Sequence, residues 1–382
     1  MKAEKKKVNL NIIPDFASPE NQSHLRKYIR HCELQRLAVS TIENKIWRLV
    51  PFIRYVDQDL AGIDNVLLED YFLERALEKS SQTVDRDITE FKVFYKWLLG
   101  ETKQKDLFIE IHKSRQVSVL PVELLLLESD IAKLVAVAGK AQRDRALIMS
   151  LWDSACRVSE LLNLKVGSLI FDDKGAIVIV DGKTGQRRLR LTVSVPDLQL
   201  WINNHPFKND PNAPLFPVYD AFSKDAKYKA MSPRTVANHL ARWEQKAVIN
   251  KPCNPHAIRH ARLTDLARKG FTEMELRIFG GWSRSSRMPE VYIHLSGADV
   301  ERKVLKVAGL LEEDETEDGL RALKCPRCHK LNPPDARQCL SCSLILDEKL
   351  AMEQVQAEAN IPKLMQDIEF MKHKLAEMEK NS

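Results

Sequence analysis

The chain has 382 residues, 44% of them hydrophobic and 29% charged, with a formal net charge of +6. This is the composition of a soluble globular protein with material for two or three domains. No apolar run approaches a membrane span, and the opening "MKAEKKKVNLNIIP" lacks an apolar signal core; both exclude a membrane protein and predict a cytoplasmic one.

The charge is unevenly placed. Residues 311–382 hold 10 Lys+Arg against 15 Asp+Glu, which leaves +11 on residues 1–310. A basic body with an acidic tail predicts a polyanionic partner, nucleic acid ahead of membrane. Cys32, Cys156 and Cys253 are isolated and read as reduced thiols, whereas the other four cysteines are clustered near the end.

In chain order, a tail at 1–17 precedes four stretches whose apolar residues recur at three- and four-residue spacing, through "KWLLG" at residue 100. Ser18, Ser40, Asp64 and Ser81 are the expected N-caps. The result is a compact helical module carrying Arg26, Lys27, Arg30, Lys45, Arg48, Arg54, Lys92 and Lys96. Each of these, taken singly, reads more simply as solvated helix surface. A charged linker, "ETKQKDLFIEIHKSRQVSVL", follows at about 101–120 and ends at Pro121.

From there to about residue 310 the pattern predicts a second, mainly helical domain. Its one β element is "AIVIVDGKTGQRRLRLTV", a hairpin that lifts Lys183 on its turn. "DSACRVSELLNL" sets Arg157 at the start of an amphipathic helix. In "NPHAIRH", Asn254 is an expected N-cap and Pro255 an expected first helical residue. His256 and His260 stand four apart, the spacing of the zinc pair in H-E-x-x-H. No acidic residue accompanies them, and Arg259 lies on nearly the same face beside the positive end of the helix. That favours an oxyanion over a metal. A helix whose histidines merely cap and pack remains an equal reading of this stretch alone.

The segment "EEDETEDG" forms an acidic linker within 311–322. "CPRCHKLNPPDARQCLSC" then brings Cys325, Cys328, Cys339 and Cys342 into two C-x-x-C pairs, the spacing of a tetrahedral structural Zn²⁺ site in a ribbon at 323–345. His329 reads as a bystander. In the last segment, 346–382, Pro362 is expected to interrupt the helix. Leu364, Ile368, Met371, Leu375 and Met378 follow at a/d spacing, which fits a protein contact or the inner face of a docked helix equally.

Taken together, Arg157 in "CRVSEL", Lys183 on a hairpin, His256 and Arg259 in "HAIRH", Trp282 in "GGWS" and Tyr292 in "EVYIHL" resemble, in order and spacing, the tyrosine recombinase family (phage integrase, Xer-like). The resemblance covers about residues 18–310. It implies a mainly α fold with a small β-hairpin or sheet: a helical DNA-clamping domain at 18–105 and a catalytic domain at 118–310. It implies a site-specific recombinase acting on double-stranded DNA as a tetramer on paired sites, with Tyr292 as nucleophile. Arg157 and Arg259, helped by His256, would hold the non-bridging oxygens, Lys183 would protonate the leaving 5′ oxygen, and Trp282 would contact the phosphate. No catalytic metal is then expected, and Zn²⁺ is confined to the ribbon.

Three departures stand out. Trp282 replaces the commoner His, Tyr292 lies ten residues after it rather than nine, and Ala155 stands at a motif glycine. The competing readings are a type IB topoisomerase and a non-catalytic DNA-binding protein on the same fold.

Overall fold

The computed structural model describes residues 8–114, 122–139, 141–182, 184–218, 229–286, 288–294, 304, 308 and 320–380. The chain divides into two compact units, Met1–Val119 and Leu120–Ser382.

The first unit contains α1 (Pro19–Leu34), α2 (Val39–Tyr55), α3 (Asn65–Glu78), α4 (Ser81–Leu99) and α5 (Glu101–Leu107). The three-four spacing becomes a buried stripe on each long helix: Leu25, Tyr28, Ile29 and Cys32 on α1, Ile42, Ile46, Leu49 and Ile53 on α2. Phe52 and Phe72 each pack edge-on against both Tyr71 and Phe91, with ring centres about 5 Å apart.

Several local expectations are corrected here. Ser18 and Asp64 cap their helices, but α2 starts after Ala38, placing Ser40 inside it, and Ser80 rather than Ser81 precedes α4. Part of the expected linker is helical: α5 follows Gly100, and Leu107, Phe108 and Ile111 close the core. Their apolar side chains fold the segment back, because burial outweighs its flanking charges.

Not all of the basic surface is free. Asp87, 1% exposed, accepts from Arg48 Nη1 (2.5 Å) and from Arg75 Nε and Nη2 (3.1 and 3.0 Å), and Lys45 pairs with Glu90. These pairs tie α2 and α3 to α4. Arg26, Lys27 and Arg30 stay exposed on α1.

The second unit is built around α7 (Gln142–Ser154), in which every residue from Ala146 to Ser154 is buried. Around it lie α6 (Glu128–Ala138), α8 (Val158–Leu162), α9 (Val195–Asn203), α10 (Pro233–Ala247) and α11 (Pro255–Arg268). The hairpin forms as β2 (Gly175–Gly182) and β3 (Gly185–Leu191), closing at the Gly182↔Gly185 pair. A third strand, β1 (Leu169–Asp172), adds to its outer edge antiparallel to β2; four residues are too few for a legible alternation. A small pair, β4 (Pro217–Val218) and β5 (Lys229–Ala230), lies before α10. α12 (Glu273–Gly280) and α13 (Met288–His294) cover the far end of α11.

The C-terminal part has a two-stranded sheet of β6 (Leu323–Lys324) and β7 (Leu331–Asn332), then α14 (Glu348–Lys380). The expected break at Pro362 is not there: α14 runs through it. Proline removes one N–H and leaves the carbonyl four residues earlier without its donor; on an exposed helix, water takes that place. No helix among the described residues is long and apolar enough to cross a membrane.

Candidate active site

The site gathers at the carboxyl end of α12. A helix leaves its last carbonyls without internal donors and carries a negative partial charge there. Three guanidinium groups from three different elements take these carbonyls in succession. Arg187 Nε donates to Phe279 O (3.0 Å), Arg259 Nη2 to Gly280 O (2.5 Å), and Arg157 Nη1 and Nη2 to Gly281 O (3.4 and 3.5 Å). Thr184 Oγ1, on the hairpin turn, also donates to Gly281 O at 3.1 Å. The turn that carries it is therefore fixed to the site. Lys183 itself lies outside the described residues.

Each arginine is aimed by its local fold. Ala155 ends α7 in the left-handed region (φ 45°), the conformation that makes glycine the usual choice at this position. The reversal delivers Arg157 as the N-cap of α8. Asn254 caps α11 by accepting from the His256 and Ala257 amides, with Pro255 at the first position. One turn on, Arg259 is 3% exposed; its Nη1 donates to Ala155 O at 2.6 Å, and its guanidinium lies 5.1 Å over the Trp282 ring. Burial, and then the nearby Arg157 charge, pull Arg259 down to about 10, so it stays a cation at neutral pH.

Among the described residues, Glu160, 4% exposed, is the one carboxylate that bonds these guanidiniums. It accepts from Arg157 Nη1 (2.8 Å) and Arg187 Nη2 (2.7 Å), and from the Arg157 amide. Burial raises its carboxyl, but the two guanidiniums more than offset this and hold it below the ordinary range. One negative charge faces three positive ones, so the pocket has an excess of positive charge to meet an anion. Arg157, with a side chain 35% exposed, is the cation that solvent reaches.

Tyr292 on α13 is 1% exposed and packs among Ala155, Leu263, Leu266 and Leu276. Its ring lies 5.5 Å from that of Trp282. Its hydroxyl is 2.5 Å from His260 Nδ1, and His260 Nε2 is 2.8 Å from His256 Nε2. Burial pushes the phenol well above its ordinary value; the Arg259 charge works the other way but is outweighed. His260 is pushed down to about 4, by burial first and then by His256 and Arg259. Burial, then Arg259 and Arg157, lower His256 as well. At neutral pH both rings are uncharged, and the Tyr292–His260 and His260–His256 contacts each hold a proton of their own.

The structure thus brings Arg157, His256, Arg259, Trp282 and Tyr292 into one pocket. Sequence reasoning passed over three residues beside them. His260 has no role of its own in the motif reading, yet it touches the Tyr292 hydroxyl. Glu160 was legible only as the acid of "RVSEL". Arg187 is distinguished from its neighbours by strand alternation, since it shares a face with buried Leu189 and Leu191 while Arg188 and Arg190 are exposed.

Elsewhere in the second unit, the sulfurs of Cys325, Cys328, Cys339 and Cys342 all lie within 4.8 Å of one another. The Cys325–Cys342 and Cys328–Cys339 separations are 3.6 and 3.5 Å. Four thiolates at about 2.3 Å from one Zn²⁺ would be about 3.8 Å apart, so the set fits a tetrahedral ion. The two C-x-x-C turns have the same backbone. Cys325 N donates to Lys330 O and His329 N to Cys325 O; Cys339 N donates to Leu344 O and Ser343 N to Cys339 O. His329 and Ser343 hold matching left-handed positions (φ 60° and 57°), and Asn332 Nδ2 donates to Cys339 Sγ.

Residues 125–298 match the phage integrase family. Tyrosine recombinase XerD of Ralstonia nicotianae is 27% identical over 246 residues, spanning 61% of this chain and 75% of its own. Tyrosine recombinase XerA of Pyrococcus furiosus is 27% identical over 241 residues, 58% of this chain and 80% of its own. A solved lambda integrase dimer bound to a COC′ core site aligns with 77% of this chain and 79% of its own, at 14% identity and a TM-score of 0.56. XerH site-specific recombinase in a post-cleavage complex with palindromic difH substrate aligns with 78% and 99%, at 15% identity and a TM-score of 0.53. These two likenesses are likenesses of fold: mainly helical, with small antiparallel sheets.

Proposed function

We propose that this protein is a tyrosine-type site-specific DNA recombinase, which breaks and rejoins DNA through a covalent 3′-phosphotyrosyl intermediate and exchanges strands through a Holliday junction. The observation that carries this reading is the meeting of Arg157, Arg259 and His256 with the hydroxyl-bearing Tyr292 at one helix end. No other described cluster combines a nucleophile with an excess of guanidinium charge.

The roles follow from chemistry. The Tyr292 oxygen attacks a phosphodiester, the phosphorus–O5′ bond breaks, and the 5′ oxygen leaves with a proton from Lys183. His260 Nδ1, already 2.5 Å from the phenol oxygen, is placed to take the phenol proton. Arg157 and Arg259 hold the non-bridging oxygens, where negative charge grows. His256 adds a donor, and the Trp282 indole shapes the wall against Tyr292. Guanidinium groups supply the charge stabilisation, so cleavage is expected to need neither Mg²⁺ nor ATP.

In the same reading, residues 18–105 clamp duplex DNA, 118–310 form the catalytic domain, and the protein works as a tetramer on paired sites in the cytoplasm. Residues 323–345 form a zinc ribbon whose four cysteines hold one structural Zn²⁺; a reducing compartment keeps them as thiols.

A nicked suicide substrate tests the proposal. Wild-type protein in EDTA, without ATP, should give a covalent adduct, and Tyr292→Phe should bind the same DNA without one. A substrate with a 5′-thio leaving group should rescue Lys183→Ala, because that group needs little protonation. Relaxation of plasmids lacking a cognate site would favour a topoisomerase, and an adduct in Tyr292→Phe would mean that another residue attacks.

A further inference from the structure

The helix α14 leaves an apolar stripe uncovered. Its 33 residues span roughly 50 Å at the usual helical rise. Ile361, Leu364, Met365, Ile368 and Met371 are each 47–66% exposed, so this face does not dock on the rest of the chain. Scattered exposed apolar residues need no explanation, but a continuous stripe on one helix face does.

The stripe has a strict heptad order. Ile361, Ile368 and Leu375 fall at a, and Leu364, Met371 and Met378 at d, with alternating three- and four-residue steps over 18 residues. Helix continuity through Pro362 extends the seam by one a position beyond the Leu364–Met378 series. β-Branched Ile at a, as at Ile361 and Ile368, with Leu at d, as at Leu364, is the pattern of a two-stranded parallel coiled coil.

The flanking charges agree. In a parallel, in-register pair, each g position faces the e position five residues on in the other strand. The sequence sets Asp367 at g against Lys372 at e, and Lys374 at g against Glu379 at e, so both pairs attract. An antiparallel pair centred on the same seam would set Lys372 opposite its own copy, which repels.

We propose that residues 361–380 of α14 pair with the same segment of a second copy of this chain, as a parallel two-stranded coiled coil formed without DNA. About three heptads make a marginal coiled coil on their own. The contact therefore forms and dissociates in the micromolar range, and it tightens when two chains are held side by side. It lies outside residues 125–298, so it does not depend on the catalytic reading.

Sedimentation equilibrium of the full-length protein, free of DNA, decides the matter. Wild type should move from monomer to twice the chain mass as concentration rises through the micromolar range. The double variant Leu364→Glu with Ile368→Glu should remain monomeric at every concentration, with unchanged melting of the rest of the protein. Lys372→Glu, which sets two acids together, should weaken association. Adding Asp367→Lys to it should restore association, because the pair is then swapped rather than lost. Met371→Cys at a d position should form an interchain disulfide under mild oxidation, whereas Gln366→Cys on the outer face should not. Monomeric wild type would overturn the proposal, as would a dimer that persists in the double variant. Tighter association in Lys372→Glu, or crosslinking of Gln366→Cys as fast as Met371→Cys, would also overturn the parallel arrangement.

Discussion

The Tyr292 hydroxyl lies 2.5 Å from His260 Nδ1 while its ring is 1% exposed. A nucleophile so covered cannot reach a phosphodiester in solution. If Tyr292 attacks as proposed, this geometry is a resting one, with the phenol held on an uncharged imidazole, and attack requires α13 to shift. His260→Ala should leave DNA affinity unchanged and slow adduct formation on a suicide substrate about 100-fold or more, the range of a lost proton acceptor. An unchanged rate would mean the contact only packs.

That contact also has a pH signature. His260 sits at about 4, below its ordinary value of 6.5, so between these values the unfolded chain binds a proton that the folded chain refuses. The unfolded state is favoured as pH falls through 6.5 toward 4, and this contribution levels off below about 4. Urea titrations across that window should show wild type losing stability faster than His260→Gln. Parallel slopes for the two proteins would contradict the assignment.

Glu160 keeps two guanidiniums in place from a nearly buried position. Glu160→Gln removes the charge but keeps the shape, leaving Arg157 and Arg187 without their shared anion. The expected cost is about 3 kcal/mol of stability, as for other broken buried pairs. Cleavage should fall about 100-fold or more, because Arg157 loses its aim. Denaturant melts and single-turnover cleavage measure the two effects separately.

Gly281 holds φ +64°, and a Cβ there would lie 2.6 Å from Arg187 Nη1. Gly281→Ala should therefore cost about 1–2 kcal/mol in backbone strain. It should also displace Arg187 and disturb the carbonyl that receives Arg157 and Thr184. Thermal melting should show the loss, with cleavage reduced beyond what the lower folded fraction explains. A variant as stable and active as wild type would show that the α12 end does not position the arginines.

Removal of the proposed zinc from the four-cysteine cluster should leave the pocket untouched. Arg145 on α7 ties the cysteine-bearing segment to the body of the second unit instead, donating to Asp335 at 2.9 and 2.6 Å and to Asp197 on α9 at 2.9 Å. Purified protein should contain about one zinc per chain. Cys325→Ser with Cys328→Ser should release it and open residues 320–345 to protease. Arg145 keeps Asp197, so the catalytic unit should still form the adduct. A protease-resistant ribbon without metal would refute the zinc assignment.

Much of this protein is written locally. Helical spacing announced α1 to α4 because each must bury one stripe, and Asn254–Pro255 announced α11 because capping is a matter of two or three adjacent residues. The C-x-x-C pairs announced the four-cysteine cluster for the same reason, since each turn fixes its two sulfurs by itself. The recombinase motifs name most of the pocket from fixed residue types in fixed order. What only the tertiary structure decided is who meets whom. Arg187 looks like any basic hairpin residue until β3 places it against Phe279 O and Glu160, which are 92 and 27 residues away in sequence. His260 looks like the spare histidine of its motif until α13 sets Tyr292 against it. Leu107 and Phe108 look like linker until an apolar core lies near enough to take them. Local signals depend on periods and caps within one turn of chain, whereas these contacts depend on burial and charge pairing between elements that meet only when the whole unit folds.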